Sequence, residues 1–182
     1  MSHLTGKTVA FLATHGFEDS ELTSPWRAVT EHGARAVLVS SENGTITGKN
    51  GHEATVDESV GEADASRFDA LVLPGGVANG DKIRMDADAV RFTRAFFEQG
   101  KPVGVICHGG WILTDADVLR GRTMTSYPSL KTDLRNAGAT WVDEEVVTDQ
   151  GLVSSRVPDD LPAFNAKLVE EIAEGVHERQ SA

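Results

Sequence analysis

The chain has 182 residues, 40% of them hydrophobic and 25% charged, a balance that fits one ordinary globular domain (1–182) and excludes the disordered and membrane-embedded classes. Its formal net charge of -11, with Lys and Arg scattered rather than striped, argues against direct nucleic-acid binding, and no apolar run approaches the roughly 20 residues of a spanning helix. A single cysteine rules out an intrachain disulfide, and the short polar start at residues 1–7 carries no charged-then-apolar leader, so a reducing, cytoplasmic location is expected.

Residues 9–13 form a short continuous apolar run, read as a strand buried on both faces, with a loop over 14–19 behind it. Leu22, Trp26 and Val29 then fall at i, i+4 and i+7, one helical stripe closed by Gly33. Pro25 either opens this helix after a Ser24 cap or kinks one that begins earlier. A second strand is expected over 36–39, a glycine-punctuated hairpin over 44–56, and a buried strand over 68–73 stopped by Pro74-Gly75-Gly76. After a loop, 86–98 reads as a helix with Ala89, Phe92 and Phe96 on one face, and 102–106 as a strand ending at Cys107. The remainder reads as a helix over 108–119, a strand over 123–127, a helix over 129–137 and strands over 141–148 and 152–155 around an Asp149-Gln150-Gly151 turn. A last helix presents Leu161, Phe164, Leu168 and Ile172 on one face.

Strands alternating with helices imply right-handed βαβ units and a mostly parallel sheet covered on both sides. Ligands in such sheets bind beyond the carboxyl ends of the strands. Residues 14–19, 74–81 and 107–110 all follow strand ends and are expected to converge there.

Cys107 sits in Val105-Ile106-Cys107-His108-Gly109-Gly110, a strand-to-helix elbow whose small neighbours permit strained backbone angles. A helix N-terminus beside it would favour the thiolate, although free cysteines are as often inert packing. His108 is placed to act as a base or to orient the sulfur, Glu18 to reach the same cleft, and Gly75-Gly76 to offer amides to an oxyanion. No phosphate loop, dinucleotide fingerprint, paired-cysteine or zinc-protease pattern occurs, so no cofactor or metal is expected. His3, His15, His32, His52 and His177 lack ligand spacing and are assigned surface or supporting roles.

The segments Gly16-Phe17-Glu18-Asp19-Ser20-Glu21-Leu22, Asp69-Ala70-Leu71-Val72-Leu73-Pro74-Gly75-Gly76 and Ile106-Cys107-His108-Gly109 together resemble the ThiJ/PfpI family, and the likeness continues through Ser126-Tyr127-Pro128 and 154–161. The resemblance implies a flavodoxin-like three-layer α/β/α sandwich, with Cys107 as nucleophile, His108 as the adjoining histidine, and Glu18 as the glutamate that contacts the sulfur. PfpI-type members add an acid from a neighbouring subunit. Asp81 is its match here, where the usual residue is Glu and the loop is slightly longer, and Gly110 stands where many relatives have proline. The only late histidine, His177, lies in the final helical region, which disfavours amidotransferase chemistry.

Three functions follow from the resemblance. The first is a cofactor-independent glyoxalase or deglycase: Cys107 attacks an aldehyde, the backbone of Gly75, Gly76 and Gly109 holds the oxyanion, and Glu18 or His108 moves the proton. Its partners would be a small carbonyl or a glycated protein or peptide. The second is an intracellular peptidase with Cys107, His108 and Asp81 assembled across a homo-oligomer. The third is a stress protein without turnover, in which oxidation of Cys107 serves as a redox sensor or a chaperone switch.

Overall fold

Short, uniformly apolar strands need cover on both faces, and here the cover comes from the helices that connect them. The computed structural model describes residues 3–180 and residue 182. In chain order the elements are β1 (Thr8–Leu12), α1 (Asp19–Glu31), β2 (Arg35–Ser40), β3 (Thr45–Thr47), β4 (Glu53–Thr55), β5 (Glu58–Ser59), β6 (Ala70–Leu73), α2 (Val77–Ile83) and α3 (Ala87–Glu98). They continue with β7 (Val103–Ile106), a 3-10 turn (Cys107–Gly110), α4 (Trp111–Ala116), β8 (Thr123–Met124), α5 (Lys131–Asn136), β9 (Thr140–Trp141), β10 (Val147–Asp149), β11 (Leu152–Ser155) and α6 (Leu161–Glu174).

Seven strands form one sheet in the order β10-β11-β7-β6-β1-β2-β5, parallel throughout except for the antiparallel β10. Alternation along the strands divides the core in two. Ala10, Leu12, Leu71, Leu73, Val103 and Val105 pack toward Phe92 and Phe96 of α3, whereas Phe11, Leu38, Val72 and Ile106 pack toward Leu22 of α1 and Phe164 and Leu168 of α6. This is the mostly parallel sheet covered on both faces that the alternating elements imply, and the three-layer, flavodoxin-like α/β/α sandwich that the resemblance implies. No helix of the described residues is long and apolar enough to cross a membrane.

Several boundaries differ from the sequence reading. The helix carrying Pro25 begins at Asp19, so Pro25 lies inside it. Residues 77–83, read as loop, form α2, and the buried Asn79 side chain anchors that helix. The helix expected over 108–119 is a 3-10 turn followed by a short α4, which ends where Asp117 turns left-handed at φ 56°. The strand expected over 123–127 keeps only two ladder residues, because Thr125 N–H donates to Ser154 Oγ and Tyr127 N–H to the Cys107 carbonyl. The loops after β1, β6 and β7 do converge, and the pocket between them is lined by residues of each.

Candidate active site

The elbow after β7 has the expected backbone. Cys107 adopts φ 60° where the preceding Ile106 is extended, a left-handed conformation that non-glycine residues rarely take. Its side chain, 8% exposed, projects into a pocket of about 250 Å³ lined by Glu18, Glu21, Lys49, Gly76, Val77, His108, Tyr127, Val157 and Pro158. A larger groove of about 560 Å³ between α1 and the β3–β4 hairpin is lined by Trp26 and Leu38 and lies apart from Cys107.

Two glycines allow the β6 turn to reach the sulfur. A Cβ on Gly75 would collide with the Glu21 carboxyl and sit 2.7 Å from Cys107 Cβ, and Gly76, at φ 95°, would place a Cβ 2.7 Å from the Glu18 amide. The amides of Gly76 and His108 are directed at the sulfur and favour its charged form. The Gly75 amide instead donates to Glu21 Oε1 at 2.9 Å, so the two neighbouring amides have separate tasks. Gly109 lies outside the pocket lining and packs against the Leu73 and Pro74 carbonyls, closing the elbow onto β6.

His108 is buried, with Nδ1 3.2 Å from Cys107 Sγ and Nε2 3.4 Å from Ser129 Oγ. Its ring stacks on Tyr127 at 4.6 Å and meets the edge of Trp111. Burial, and then the Lys49 ammonium, lower its pKa, which favours the neutral imidazole. With the ring hydrogen on Nε2 toward Ser129, Nδ1 can accept the thiol proton.

The acid at the sulfur is Glu21, where the sequence reading places Glu18. Glu18 lines the pocket, but its carboxylate pairs with Lys49 Nζ at 2.6 Å and accepts from Asn50 Nδ2 at 3.4 Å. One helical turn later, Glu21 is 0% exposed and points inward, close enough for the Cys107 thiol to hydrogen-bond it weakly, while its Oε2 has no partner of full hydrogen-bond geometry. Burial, reinforced by the Glu18 charge, pushes Glu21 up to about 8 against the pull of the Gly75 amide. The residue was legible in the periodicity: Glu21, Pro25 and Val29 occupy i, i+4 and i+8 on the buried side of α1.

Burial, then the Glu21 and Glu18 charges, push the Cys107 thiol up to about 12 against the two amides. The elbow alone therefore does not produce the thiolate expected from helix-end charge, because one 3-10 turn and a six-residue helix supply little of it and two acids oppose it. Glu21 and Cys107 are coupled. A proton on Glu21 removes one of the repulsions that hold the thiol neutral.

The sequence reading also missed Asn79, buried in α2, which ties that helix to the loops after β1 and β6. Its Oδ1 accepts from Thr14 N–H at 2.8 Å, and its Nδ2 donates to the carbonyls of Pro74 and Gly75 at 3.0 and 3.1 Å. Asp81, on the same helix, is exposed and does not line the pocket of its own chain.

Comparison with known proteins places the whole chain. The DJ-1/PfpI family profile matches residues 7–171. A deglycase of Pyrococcus horikoshii is 49% identical over 161 residues, 88% of this chain and 96% of its own length. General stress protein 18 of Bacillus subtilis is 48% identical over 163 residues, 88% of this chain and 94% of its own. Among solved structures, a two-domain protein from Anabaena variabilis with DJ-1/ThiJ/PfpI-like and ferritin-like domains superposes with a TM-score of 0.88 at 38% identity, covering 91% of this chain and 48% of that one. A match that spans most of the chain, joined to a cysteine elbow of this shape, places the protein in the DJ-1/PfpI family.

Proposed function

We propose that the chain is a cysteine-dependent enzyme that acts on reactive dicarbonyls or on the early adducts they form with amines, in the manner its deglycase-named relatives suggest. One observation carries the reading. A sulfur at a strained elbow faces two amide donors, a neutral imidazole and a buried carboxyl raised to about 8, all within a pocket of about 250 Å³.

For methylglyoxal the steps balance as follows. The Cys107 sulfur bonds to the aldehyde carbon as its proton passes to His108 Nδ1, and the new alkoxide lies against the Gly76 and His108 amides before it is protonated to the hemithioacetal. A base then takes the hydrogen from that carbon and returns a proton to the adjoining ketone carbon, leaving a thioester of a 2-hydroxy acid. Glu21, as carboxylate, or His108 is placed for this transfer. Water cleaves the thioester, and the thiol regains its proton. In a glycated substrate the amine leaves as the sulfur takes its place, so the same hydroxy acid forms together with the free amine. Lys49 and Glu18 at the mouth hold opposite charges beside the entering substrate.

The enzyme is tested on methylglyoxal, methylglyoxal-glycated amino acids and an unfolded peptide, in a buffer without amines, with Cys107→Ala as control. Release of the 2-hydroxy acid, followed by proton NMR and lost in Cys107→Ala, is the expected result. Cys107-dependent peptide cleavage without hydroxy-acid release would replace this reading with the peptidase one. Oxidation of Cys107 with no turnover of any substrate would replace it with the sensor one.

A shared site in a homo-oligomer is also proposed. Val77 is 57% and Met85 81% exposed, and with Asp81 between them they recur every fourth residue along α2 and its end, an apolar strip beside the pocket. A second copy covering that strip would bring Asp81 toward the partner's pocket and protect the apolar side chains from water.

A further inference from the structure

Far along the chain from Cys107, three metal-binding side chains meet where α6 ends. Glu171 and Glu174 stand one turn apart near the end of α6; Gly175 then stops the helix and His177 returns beside them. The ring of His177 is seated firmly. Its backbone N–H donates to the Gly100 carbonyl at 2.8 Å, and its Cδ2 lies against Gly151, where a Cβ would approach to 3.0 Å.

Nε2 of His177 lies 2.9 Å from Oε2 of Glu171 and 3.8 Å from Oε2 of Glu174, and one ligand atom from each residue fits within 4.8 Å of the others. Glu171 is only 6% exposed. Its Oε2 and the Nε2 of His177 are both shielded from water, yet neither has a partner of hydrogen-bond geometry. Two buried polar atoms that face each other without a directed hydrogen bond call for a third group.

We propose that Glu171, Glu174 and His177 bind one divalent transition-metal ion, zinc by preference, with a fourth position open to water. Zinc holds imidazole nitrogen and carboxylate oxygen at about 2.0–2.2 Å, so tetrahedral ligand atoms stand roughly 3.4 Å apart, a value that the two observed separations bracket. A mixed nitrogen and oxygen set on so few ligands suits zinc better than calcium or magnesium, which take more oxygens or keep their waters. The exposed Glu174 gives the ion a way in, and the buried Glu171 carboxyl, whose Oε2 has no hydrogen-bond partner, offers it a ligand from inside. The sequence spacing alone assigns His177 a supporting role; the fold brings it to the acids.

The ion would act as a clamp. It would tie the terminal segment, whose Gln180 Nε2 also donates to the Lys101 carbonyl at 3.0 Å, to α6 and to the loop entering β7. That loop is at the opposite end of β7 from Cys107, so the site has no part in the carbonyl chemistry.

The test uses tag-free full-length protein with Cys107→Ala, which removes the thiol as a competing ligand. Zinc is titrated by calorimetry, and cobalt serves as a spectroscopic substitute. One zinc per chain, visible cobalt bands without a sulfur charge-transfer band, and a rise in melting temperature on adding zinc are expected. Adding His177→Ala should abolish the cobalt bands and the temperature rise, and Glu174→Gln, at an exposed position that leaves folding intact, should weaken zinc binding at least about tenfold. No saturable zinc binding, or binding unchanged in both variants with native circular dichroism, would overturn the proposal and leave His177 as an ion-pair partner of the two glutamates.

Discussion

The carboxyl of Glu21 accepts the Gly75 amide hydrogen at 2.9 Å and, from the same buried position, lies within weak hydrogen-bonding reach of the Cys107 thiol. One side chain thereby fixes the β6 turn and sets the charge beside the nucleophile. This relationship makes the proton on Glu21 the quantity to measure.

Glu21→Gln keeps the Gly75 hydrogen bond while removing the ionisable group. In the native protein Glu21 is raised from 4.5 to about 8, so between those values the folded chain holds a proton that the unfolded chain has released. Stability therefore falls as pH rises through that window, on the order of 1.4 kcal/mol per pH unit from this group at most, and levels off above about 8. The Glu21→Gln protein should lack this slope and be the more stable of the two at pH 8. Urea denaturation at half-unit pH steps measures it; identical slopes would show that Glu21 does not carry the raised pKa.

Alkylation of Cys107 should follow the coupled pair. Ionisation of Glu21 near 8 opposes that of the thiol, so the rate of reaction with iodoacetamide should rise with pH in two steps. In Glu21→Gln one repulsion is absent, and the profile should become a single step displaced to lower pH. A displacement to higher pH would reverse the assigned coupling. Glu18→Gln, which breaks the Lys49 pair, should move the profile less, because Glu18 is the weaker of the two acids acting on the thiol.

Asn79→Ala strips hydrogen bonds from the Thr14 amide and the Pro74 and Gly75 carbonyls at once. The expected cost is about 2–4 kcal/mol of stability, since buried backbone groups lose their partners. The turn that carries the Gly76 amide also loosens, so kcat should fall more than KM rises. Denaturant unfolding with steady-state kinetics checks both; unchanged kcat with lowered stability would confine Asn79 to a folding role.

Subunit mixing tests the shared site. Cys107→Ala and Asp81→Ala proteins, each inactive if Asp81 serves the partner's pocket, should regain part of the activity when exchanged into hybrid oligomers. Met85→Asp, which places a charge on the exposed apolar strip, should lower the oligomeric state seen by analytical ultracentrifugation. A fully active monomer would remove Asp81 from the chemistry.

Much of this architecture was legible in the residues themselves. Continuous apolar runs at 9–13 and 102–106 can only be strands covered on both faces, and the Cys-His-Gly-Gly sequence after the second of them allows little but a tight elbow, found here at φ 60°. The stripe of Leu161, Phe164, Leu168 and Ile172 likewise marks the buried side of α6. What the linear order did not decide is which acid meets the sulfur. Glu18 and Glu21 are three residues apart, and only the docking of α1 against β6 turns Glu21 inward while Lys49, arriving from the distant β3–β4 hairpin, draws Glu18 outward. The same holds for Asn79, a poor helix former kept in α2 by partners on two other loops, and for the state of the thiol, since burial and neighbouring charge exist only once the chain is folded.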